Sequence, residues 1–425
     1  MFSAASPSPD PTLAHRVGTT HLRLTDRVGT PLGHTEVEVA QTGHAFGFGC
    51  IGFEFVPLAA GEDAEFDSPE GTGLSRAELE TLAGQWFDVF NVATLPFYWG
   101  GFEPVRGAPR TAALLAAARW FRQRGATVKG HPLVWHTLTA PWLRDLDTAG
   151  VERAQRERIR REVSDFAGVI ETWDAINEAV IMPVFGKEEN GITRLARELG
   201  RIGTIRLAFE EARAANPHAT LVLNDFDMST AYDCLLEGVL ESGIAIDALG
   251  LQSHMHQGYW GEEKTLAILE RFSRYGIPIH FTESTLLSGQ LMPPGIQDLN
   301  DHHVPDWPST PDGEARQADE LARHYRTLLS HPSVEVVTYW GLTDAGAWLG
   351  APSGLVRADG TPKPAYEALR ALVKGEWGLA PTRMLTDGDG GLDVRGWFGR
   401  YEVVAGGRRA SFEVTRGVGE VGVTL

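Results

Sequence analysis

Short apolar segments alternate with longer stretches of helical periodicity through the middle of the chain. The alternation begins near residue 45 and continues to about residue 372. Apolar runs of strand length that are separated by amphipathic helices are typical of parallel β/α units. The apolar segments cover residues 46–51, 89–93, 128–135, 170–177, 220–224, 248–252, 279–282 and 336–340. Eight such units predict an α/β fold, a (β/α)8 TIM barrel.

Strict alternation of apolar and polar residues marks the two flanks of this region. Residues 20–24 and 35–40 predict a β-hairpin around a polar turn, and residues 396–404 and 409–415 predict further strands. Neither flank has enough strands to bury a sheet face alone, so we expect both to form one small accessory β-sandwich. The predicted divisions are a flexible Ser/Pro-rich segment at 1–16, accessory strands at 17–44 and 384–425, and the barrel at 45–375.

Composition narrows the partners of this fold. Hydrophobic residues make up 43% of the 425 positions and charged residues 22%, which suits a large globular core. The formal net charge of -18 argues against nucleic acid and anionic membranes as partners. Cys50 and Cys234 lie far apart, and no phosphate-binding loop follows a strand. We therefore expect no cofactor and a small neutral or cationic partner.

The sequence also bears on localisation. Its first residues lack a basic start followed by an apolar stretch, and no run of about 18 apolar residues occurs. We therefore expect a cytoplasmic protein from the chain as it stands, or a secreted one if a signal has been removed. The sequence leaves the oligomeric state open.

Polar side chains follow several of the predicted strands, at the end of the barrel where active sites form. Glu178 follows the fourth strand and Glu283 the seventh. One Asn-Glu pair after a strand is often only a helix cap or a solvated corner. Two glutamates placed alike on nearly opposite strands are more specific, because their carboxyl groups face each other across the barrel mouth.

Paired carboxyl groups are what cleavage of a glycosidic bond requires. One protonates the leaving oxygen while the other attacks the anomeric carbon, and a separation of about 5 to 5.5 Å gives retention of configuration. Asn177 can hydrogen-bond the sugar 2-hydroxyl in the transition state. Trp340 and Trp348 can form an aromatic floor beneath the ring. The pattern thus predicts a retaining glycoside hydrolase in which Glu178 and Glu283 share the acid/base and nucleophile roles.

These residues resemble glycoside hydrolase family ten, the endo-β-1,4-xylanase family. The resemblance extends from about residue 46 to residue 372 and rests on segments in the family's order. They are Gly130-His131 through Trp135-His136, Trp173-Asp174 with Asn177-Glu178, Asn224-Asp225, Gln252-Ser253-His254, Thr282-Glu283, and Trp340-Gly341 through Asp344 to Trp348. The resemblance implies that Glu178 is the acid/base and Glu283 the nucleophile. It also implies that His131, Trp135, Asn177, Gln252, His254, Trp340 and Trp348 surround the reacting sugar.

The sequence departs from this family where further sugars would bind. Family members typically carry Thr-x-Glu-Asn-x-x-Lys-Trp after strand two, whereas residues 94–99 read Thr-Leu-Pro-Phe-Tyr-Trp and lack all three polar contacts. The family's Trp-His-Ser-Gln becomes Trp-His-Thr-Leu at residues 135–138, and Glu-Leu-Asp becomes Glu-Ser-Thr at residues 283–285. We expect Phe97, Tyr98 and Leu138 to offer apolar surface instead, with Tyr98 among the substrate-binding residues.

Three other functions remain open at this point. We prefer a glycosidase for small or decorated glycosides, and the first of the three others is an ordinary endo-β-1,4-xylanase. His254 and His256 share a strand face and, with Asp344, suggest a metal-dependent barrel hydrolase, although such sites usually begin with His-x-His on the first strand. A catalytically silent sugar-binding protein would keep the tryptophans, but here both glutamates are retained. For His131 and His136, we expect the first to contact sugar and the second to be structural.

Overall fold

The (β/α)8 barrel expected from the alternating pattern is present in the computed structural model, which describes residues 10–61, 72–417 and 419–425. In chain order the strands are β1 (Val17–Thr25), β2 (Glu36–His44), β3 (Gly47–Ile51), β4 (Val92–Pro96), β5 (Thr127–His131), β6 (Thr172–Asn177), β7 (Thr220–Asp225), β8 (Ala248–Met255), β9 (Ile279–Leu286), β10 (Val334–Tyr339), β11 (Thr382–Leu385), β12 (Gly391–Trp397), β13 (Gly399–Ala405), β14 (Arg408–Val414) and β15 (Gly419–Thr424). Strands β3 to β10 pair in parallel in sequence order, and β10 returns to β3 to close the barrel. All the predicted site residues therefore come to one end of one sheet.

Helices cover the outside of the barrel. They are α1 (Val56–Ala60), α2 (Arg76–Val89), α3 (Trp99–Phe102), α4 (Thr111–Gln123), α5 (Thr148–Asp165), α6 (Gly191–Ala215), α7 (Thr230–Glu241), α8 (Gly261–Ser273), α9 (Pro311–Ser330) and α10 (Pro364–Arg370). Shorter 3-10 segments occur at Pro11–Arg16, Phe53–Phe55, Pro141–Asp145, Met182–Val184, Leu299–Asp301 and Trp348–Gly350, and α10 continues as a π-helical turn at Ala371–Glu376. Among the described residues, no helix combines the length and the apolar character needed to cross a bilayer.

Side-chain caps define several helix starts. Ser75 and Glu78 form a reciprocal capping box ahead of α2. Asp147, Asn190 and Thr310 each accept a backbone N–H at the starts of α5, α6 and α9. These caps place the helix starts directly after the loops at the carboxyl ends of the strands, where the site lies.

The second barrel strand lies later in the chain than the sequence predicted. Residues 89–93 were expected to form it, but α2 extends to Val89 and β4 begins at Val92. Val89 completes the buried stripe of α2 that includes Leu82 and Trp86, so its apolar character belongs to the helix.

The flanking strands form two facing sheets beside the barrel. One sheet has the order β12-β1-β15 and the other the order β11-β2-β13-β14. Leu22 and Leu24 of the first sheet and Val37 and Val39 of the second belong to one buried apolar cluster, separate from the barrel core. The accessory β-sandwich built from both flanks is therefore confirmed, whereas the exact domain limits stay a prediction.

The predicted N-terminal hairpin is wrong, because β1 and β2 lie in different sheets. β1 pairs with β12 and β15, while β2 pairs with β11 and β13. The turn itself is present, since Asp26 Oδ1 accepts the N–H groups of Val28 and Thr30. After it, the chain crosses to the opposite sheet, where each strand buries its apolar face against the other.

The segment at 1–16 was expected to be flexible. Residues 1–9 of it lie outside the described residues, and Pro11–Arg16 forms a 3-10 helix. Leu13 is buried in the barrel core, and the Arg16 guanidinium donates to the carbonyl groups of His331 and Val334 at 2.7 and 2.6 Å. These contacts fix the helix to the barrel, so flexibility is the wrong expectation for this part.

Candidate active site

The structure joins all ten predicted site residues in one cluster at the carboxyl ends of the barrel strands. Hydrogen bonds link the polar members and ring contacts link the aromatic ones to the histidines. The members are Glu178, Glu283, His131, Trp135, Asn177, Gln252, His254, Trp340, Trp348 and Tyr98.

Two asparagines connect the two carboxyl groups. Asn177 Nδ2 donates to Glu178 Oε1 at 3.1 Å. Asn224 Nδ2 donates to Asn177 Oδ1 at 2.8 Å and to Glu283 Oε1 at 3.0 Å. Gly250 leaves the space for Asn224, because a Cβ at this position would lie 2.5 Å from Asn224 Oδ1. Asn177 on β6 and Asn224 on β7 thus form a hydrogen-bonded bridge that fixes the positions of the two carboxyl groups relative to each other.

Glu178 is held in an environment that favours its protonated form. Burial, with smaller contributions from the negative charges of Glu283 and Asp225, raises its pKa to about 8. The Glu178 backbone has a φ of 58°, in the left-handed region that costs energy for a residue with a side chain. Its N–H donates to Asn224 O at 2.8 Å, which holds this turn. A strained residue with a raised pKa at a barrel mouth is a candidate proton donor.

Glu283 is held in the opposite way. Burial alone would raise its pKa, but the hydrogen bond from His254 and the electrostatic effects of His131, His254 and Lys129 outweigh burial and lower it. His254 Nε2 lies 3.0 Å from Glu283 Oε2 and must donate, because an ionised carboxylate has only acceptors. The two glutamates are therefore pushed towards different protonation states, as an acid and a nucleophile require.

His131 shares its hydrogen-bond acceptor, Asp174, with the buried Lys129. Lys129 and His131 are two residues apart on β5 and share a side of the strand. Asp174 Oδ2 accepts from Lys129 Nζ at 2.8 Å and from His131 Nδ1 at 2.6 Å. His131 Nδ1 therefore carries the proton, and Nε2 is the ring nitrogen that is left for a ligand.

Aromatic rings pack around the histidines of this cluster. Trp340 packs edge-on against His131 with ring centroids 5.2 Å apart, and Trp348 lies 4.9 Å from His254. Tyr98 contacts the rings of His131 and Trp135 at 5.7 and 5.4 Å. This arrangement supplies flat apolar faces beside hydrogen-bonding groups, which suits a sugar ring.

His136 lies close to Glu178. Its Nε2 is 3.9 Å from Glu178 Oε2, and its ring packs against Phe185 at 4.4 Å. Burial lowers the pKa of His136 to about 4, so the ring is neutral near neutral pH. It is thus a buried, neutral neighbour of Glu178.

The expected apolar surface after strand two is only partly present. Phe97 is fully buried and packs against Phe102, Phe166 and Trp173, so the expectation that it lines the groove is wrong. It points into the core because β4 extends further than predicted, to Pro96. Leu138 is 47% exposed, and its place in a substrate groove stays a prediction.

His254, His256 and Asp344, the residues that suggested a metal-dependent hydrolase, do not come together as a metal site. Asp344 forms a 2.7 Å ion pair with the buried Lys363, and His254 is directed at Glu283. Within residues 10–61, 72–417 and 419–425, no three His, Cys, Asp or Glu side chains come together as a possible metal site.

Sequence reasoning missed the residues that support the site. Asn224 was noted only as part of a motif, and Lys129, Asp174 and Thr285 were given no role. The spacing of Lys129 and His131 on one strand face could have indicated their shared partner. Contacts between strands, such as that of Asp174, carry no comparable local pattern.

Fold and site together define a class: closed β/α barrels with a largely buried carboxyl group directly after the fourth strand and a buried one on the seventh. The family model described as "Glycosyl hydrolase family 10" matches residues 99–372. The chain belongs to glycosyl hydrolase family 10.

Similar proteins agree with this placement. "Endo-1,4-beta-xylanase B" of Thermotoga neapolitana is 28% identical over 263 residues, which cover 58% of this chain and 69% of that protein. "Anti-sigma-I factor RsgI6" of Acetivibrio thermocellus is 27% identical over 393 residues, 90% of this chain and 44% of that protein. The chain therefore spans less than half the length of that relative. An "Endo-1,4-beta-xylanase/feruloyl esterase" of Xylanibacter ruminicola is 29% identical, and the match covers 61% of this chain and 39% of that protein.

Solved structures show the same fold. Xylanase 10B from Thermotoga petrophila in complex with xylobiose has a TM-score of 0.60 at 21% identity, covering 78% of this chain and 94% of that one. A family 10 structure from Paenibacillus barcinonensis has a TM-score of 0.61 at 23% identity, with coverage of 78% and 97%.

Proposed function

We propose that this chain hydrolyses β-linked glycosides with retention of configuration, with Glu178 as general acid/base and Glu283 as nucleophile. The observation that carries the proposal is the pair of carboxyl groups bridged by Asn177 and Asn224, with the pKa of one raised and that of the other lowered. Opposed protonation of two neighbouring carboxyl groups is what the retaining route needs at its start.

In the first step, a carboxylate oxygen of Glu283 attacks the anomeric carbon as the bond to the leaving oxygen breaks. Glu178 gives its proton to that oxygen, so the aglycone leaves as an alcohol and the sugar is bound to Glu283 as an ester. The Asn224 and His254 bonds hold the two Glu283 oxygens in fixed directions, which reduces the loss of orientational entropy in the attack.

In the second step, Glu178 acts as a base. It takes a proton from water as the water oxygen bonds to the anomeric carbon and the ester bond to Glu283 breaks. Glu178 ends protonated and Glu283 ionised, so the starting state is restored. Two inversions at one carbon give overall retention.

The stereochemistry of the first product tests this mechanism. Proton NMR during hydrolysis of an aryl β-glycoside should show the β-anomer first, followed by slow mutarotation. If the α-anomer appears first, the mechanism is excluded, and a direct attack by water would replace it.

For the substrate, we propose a short or decorated β-glycoside rather than polymeric xylan. Residues 94–99 lack the Glu, Asn and Lys that the family resemblance leads one to expect, and Leu138 stands where a glutamine would. Each missing hydrogen bond to a second sugar is worth about 0.5 to 3 kcal/mol. A long chain would lose that remote binding energy, which contributes to rate as well as affinity. The xylanase names of several relatives support the runner-up, an ordinary endo-β-1,4-xylanase.

Leu138→Gln offers a sharp test of this substrate proposal. It restores an amide at the groove, so hydrolysis of xylotriose should rise about 2- to 10-fold relative to an aryl monoglycoside. Leu266→Gln is the matched control, since Leu266 is exposed to a similar extent, 41%, on α8. If the unmodified chain cuts soluble xylan as efficiently as any small glycoside, the ordinary xylanase stands instead. If it binds sugars but hydrolyses none, a silent sugar-binding protein is favoured.

A further inference from the structure

A second hydrogen-bonded series runs away from the Glu283 carboxylate, on the side opposite Asn224. His254 Nε2 lies 3.0 Å from Glu283 Oε2, and His254 Nδ1 lies 3.4 Å from Thr285 Oγ1. The same hydroxyl lies 3.2 Å from His256 Nδ1. Thr285 and His256 are both fully buried. The order is therefore Glu283, His254, Thr285, His256; Glu283 and Thr285 lie on β9, His254 lies on the adjacent β8, and His256 follows β8 directly.

The third member of this series, Thr285, has a hydroxyl, which forms different hydrogen bonds from those of a carboxylate. A carboxylate would accept N–H bonds from both histidines and would favour a positive charge on His254. The Thr285 hydroxyl has one proton, so it can donate to only one of the two Nδ1 atoms and must accept from the other if both bonds are made. The protonation of the two rings is thereby coupled through one oxygen.

His256 is a neutral member of this series near neutral pH. Burial lowers the pKa of His256 to about 3, with smaller contributions from His254 and His302. Its Nε2 has no hydrogen-bond partner among the described residues, and its ring packs edge-on against Trp348 at 5.2 Å. The uncharged ring is therefore locked by packing, with Nδ1 aimed at the Thr285 hydroxyl.

We propose that Thr285 and His256 are positioning residues that orient His254 for Glu283 through an uncharged support. The inference rests on the proposed role of Glu283 as nucleophile. Because Thr285 and His256 carry no negative charge, Glu283 is the one carboxylate in this series that His254 contacts. No second carboxylate competes with Glu283 for the His254 proton. The titratable groups that face the series are Glu178, Glu283, His131, His254, His256, His302 and Lys129.

Thr285→Val, with Thr285→Ser as the conservative partner, tests the hydroxyl. The valine keeps the shape and removes the bond, so kcat/KM should fall about 3- to 10-fold. The acid limb of its pH profile should move to higher pH, because a misaligned His254 no longer lowers the pKa of Glu283 as strongly. The serine should restore both. His256→Phe, which keeps a ring against Trp348, should show a smaller shift in the same direction.

Thr265→Val is the matched control for burial, because Thr265 is equally buried on α8 and its hydroxyl bonds only to Gly261 O, at 2.8 Å. It should leave the pH profile in place. A general loss of stability would lower activity without moving the acid limb, and an unmoved limb in Thr285→Val with normal folding would overturn the proposal.

Nitrogen-15 NMR of the histidine rings gives a readout that needs no catalysis. The His254 Nδ1 resonance should shift in Thr285→Val and return in Thr285→Ser. Unchanged His254 resonances would overturn the positioning role, whatever Glu283 does. Retained activity in Glu283→Ala would overturn the proposed nucleophile instead, so the two failures can be told apart.

Discussion

At the scale of single residues, the environment of Glu178 sets a pH limit for the reaction. Its pKa is raised to about 8, mainly by burial, so the proton needed for the leaving oxygen is present below pH 8 and is lost as the pH rises through that value. For a glycoside with a poor leaving group, kcat/KM should therefore fall on the alkaline side with an apparent pKa near 8. A steady-state profile from pH 5 to 10 measures this.

Two variants test whether Glu178 causes this alkaline fall in kcat/KM, the alkaline limb of the pH profile. Glu178→Gln should abolish it. Asp225→Asn should keep it at a slightly lower pH, because the charge of Asp225 contributes to the raised pKa of Glu178. A limb centred near pH 5 in the unmodified chain would contradict the assignment of Glu178.

The two glutamates should also differ in their response to truncation. Glu283→Ala should lose essentially all activity, because without the nucleophile neither step has a low path. Glu178→Ala should keep measurable turnover of dinitrophenyl glycosides, whose leaving groups need little protonation. Comparing each variant on dinitrophenyl and methyl glycosides checks the difference, and equal losses on both substrates in Glu178→Ala would count against it.

The two candidate catalytic glutamates could be placed at the barrel mouth from sequence because each follows an apolar run of strand length, and the barrel fold fixes the position of such residues. Asn224 and Asp174 act through contacts between strands that are 40 or more residues apart along the chain, and no local periodicity encodes such pairs. The strain at Glu178 was equally hidden, since a positive φ at a glutamate has no sequence signature comparable to glycine.

At the scale of elements, the turn after β3 contains a buried carboxyl group outside the site. Glu54, in Phe53–Phe55, is 7% exposed, and burial raises its pKa to about 7. Because the folded-state pKa exceeds the ordinary value of 4.5, stability should fall as the pH rises from 4.5 to 7, by at most about 3 kcal/mol. Glu54→Gln should remove this loss, so its gain in unfolding free energy should be large at pH 8 and vanish at pH 4.

Denaturant unfolding at the two pH values measures the effect. Glu198→Gln, which changes an exposed glutamate on α6, should give no such difference. A constant gain for Glu54→Gln at both pH values would show that the carboxyl group is not titrating in this range.

Element prediction succeeded where periodicity was unambiguous and failed where two patterns met. The barrel strands follow from apolar runs bounded by polar ends. Val89 was assigned to a strand because an apolar residue at the end of a helix stripe looks the same as one at the start of a strand. The hairpin was wrong because alternation shows that a strand has one buried face and does not show which sheet it joins.

At the scale of the whole molecule, the accessory sandwich depends on both flanks of the barrel. Deleting residues 384–425 would remove the partners of β1 and most of those of β2, exposing Leu22, Leu24, Val37 and Val39. We expect lower solubility, stronger binding of a hydrophobic dye and a lower Tm. Dye fluorescence and thermal unfolding check this, and a truncated chain as soluble and heat-stable as the full one would contradict it.

The parallel pairing of β1 with β15 also has a consequence for biosynthesis. Thr20 lies beside Gly419, so the two partners leave the ribosome 399 residues apart. At about 5 to 20 residues per second, roughly 20 to 80 s pass between them. During that interval one edge of β1 has unpaired backbone N–H and C=O groups, which are open to pairing with another chain. The barrel strands are all translated before β15, so the sandwich is completed last and its pairing ends the period in which β1 can pair with another chain.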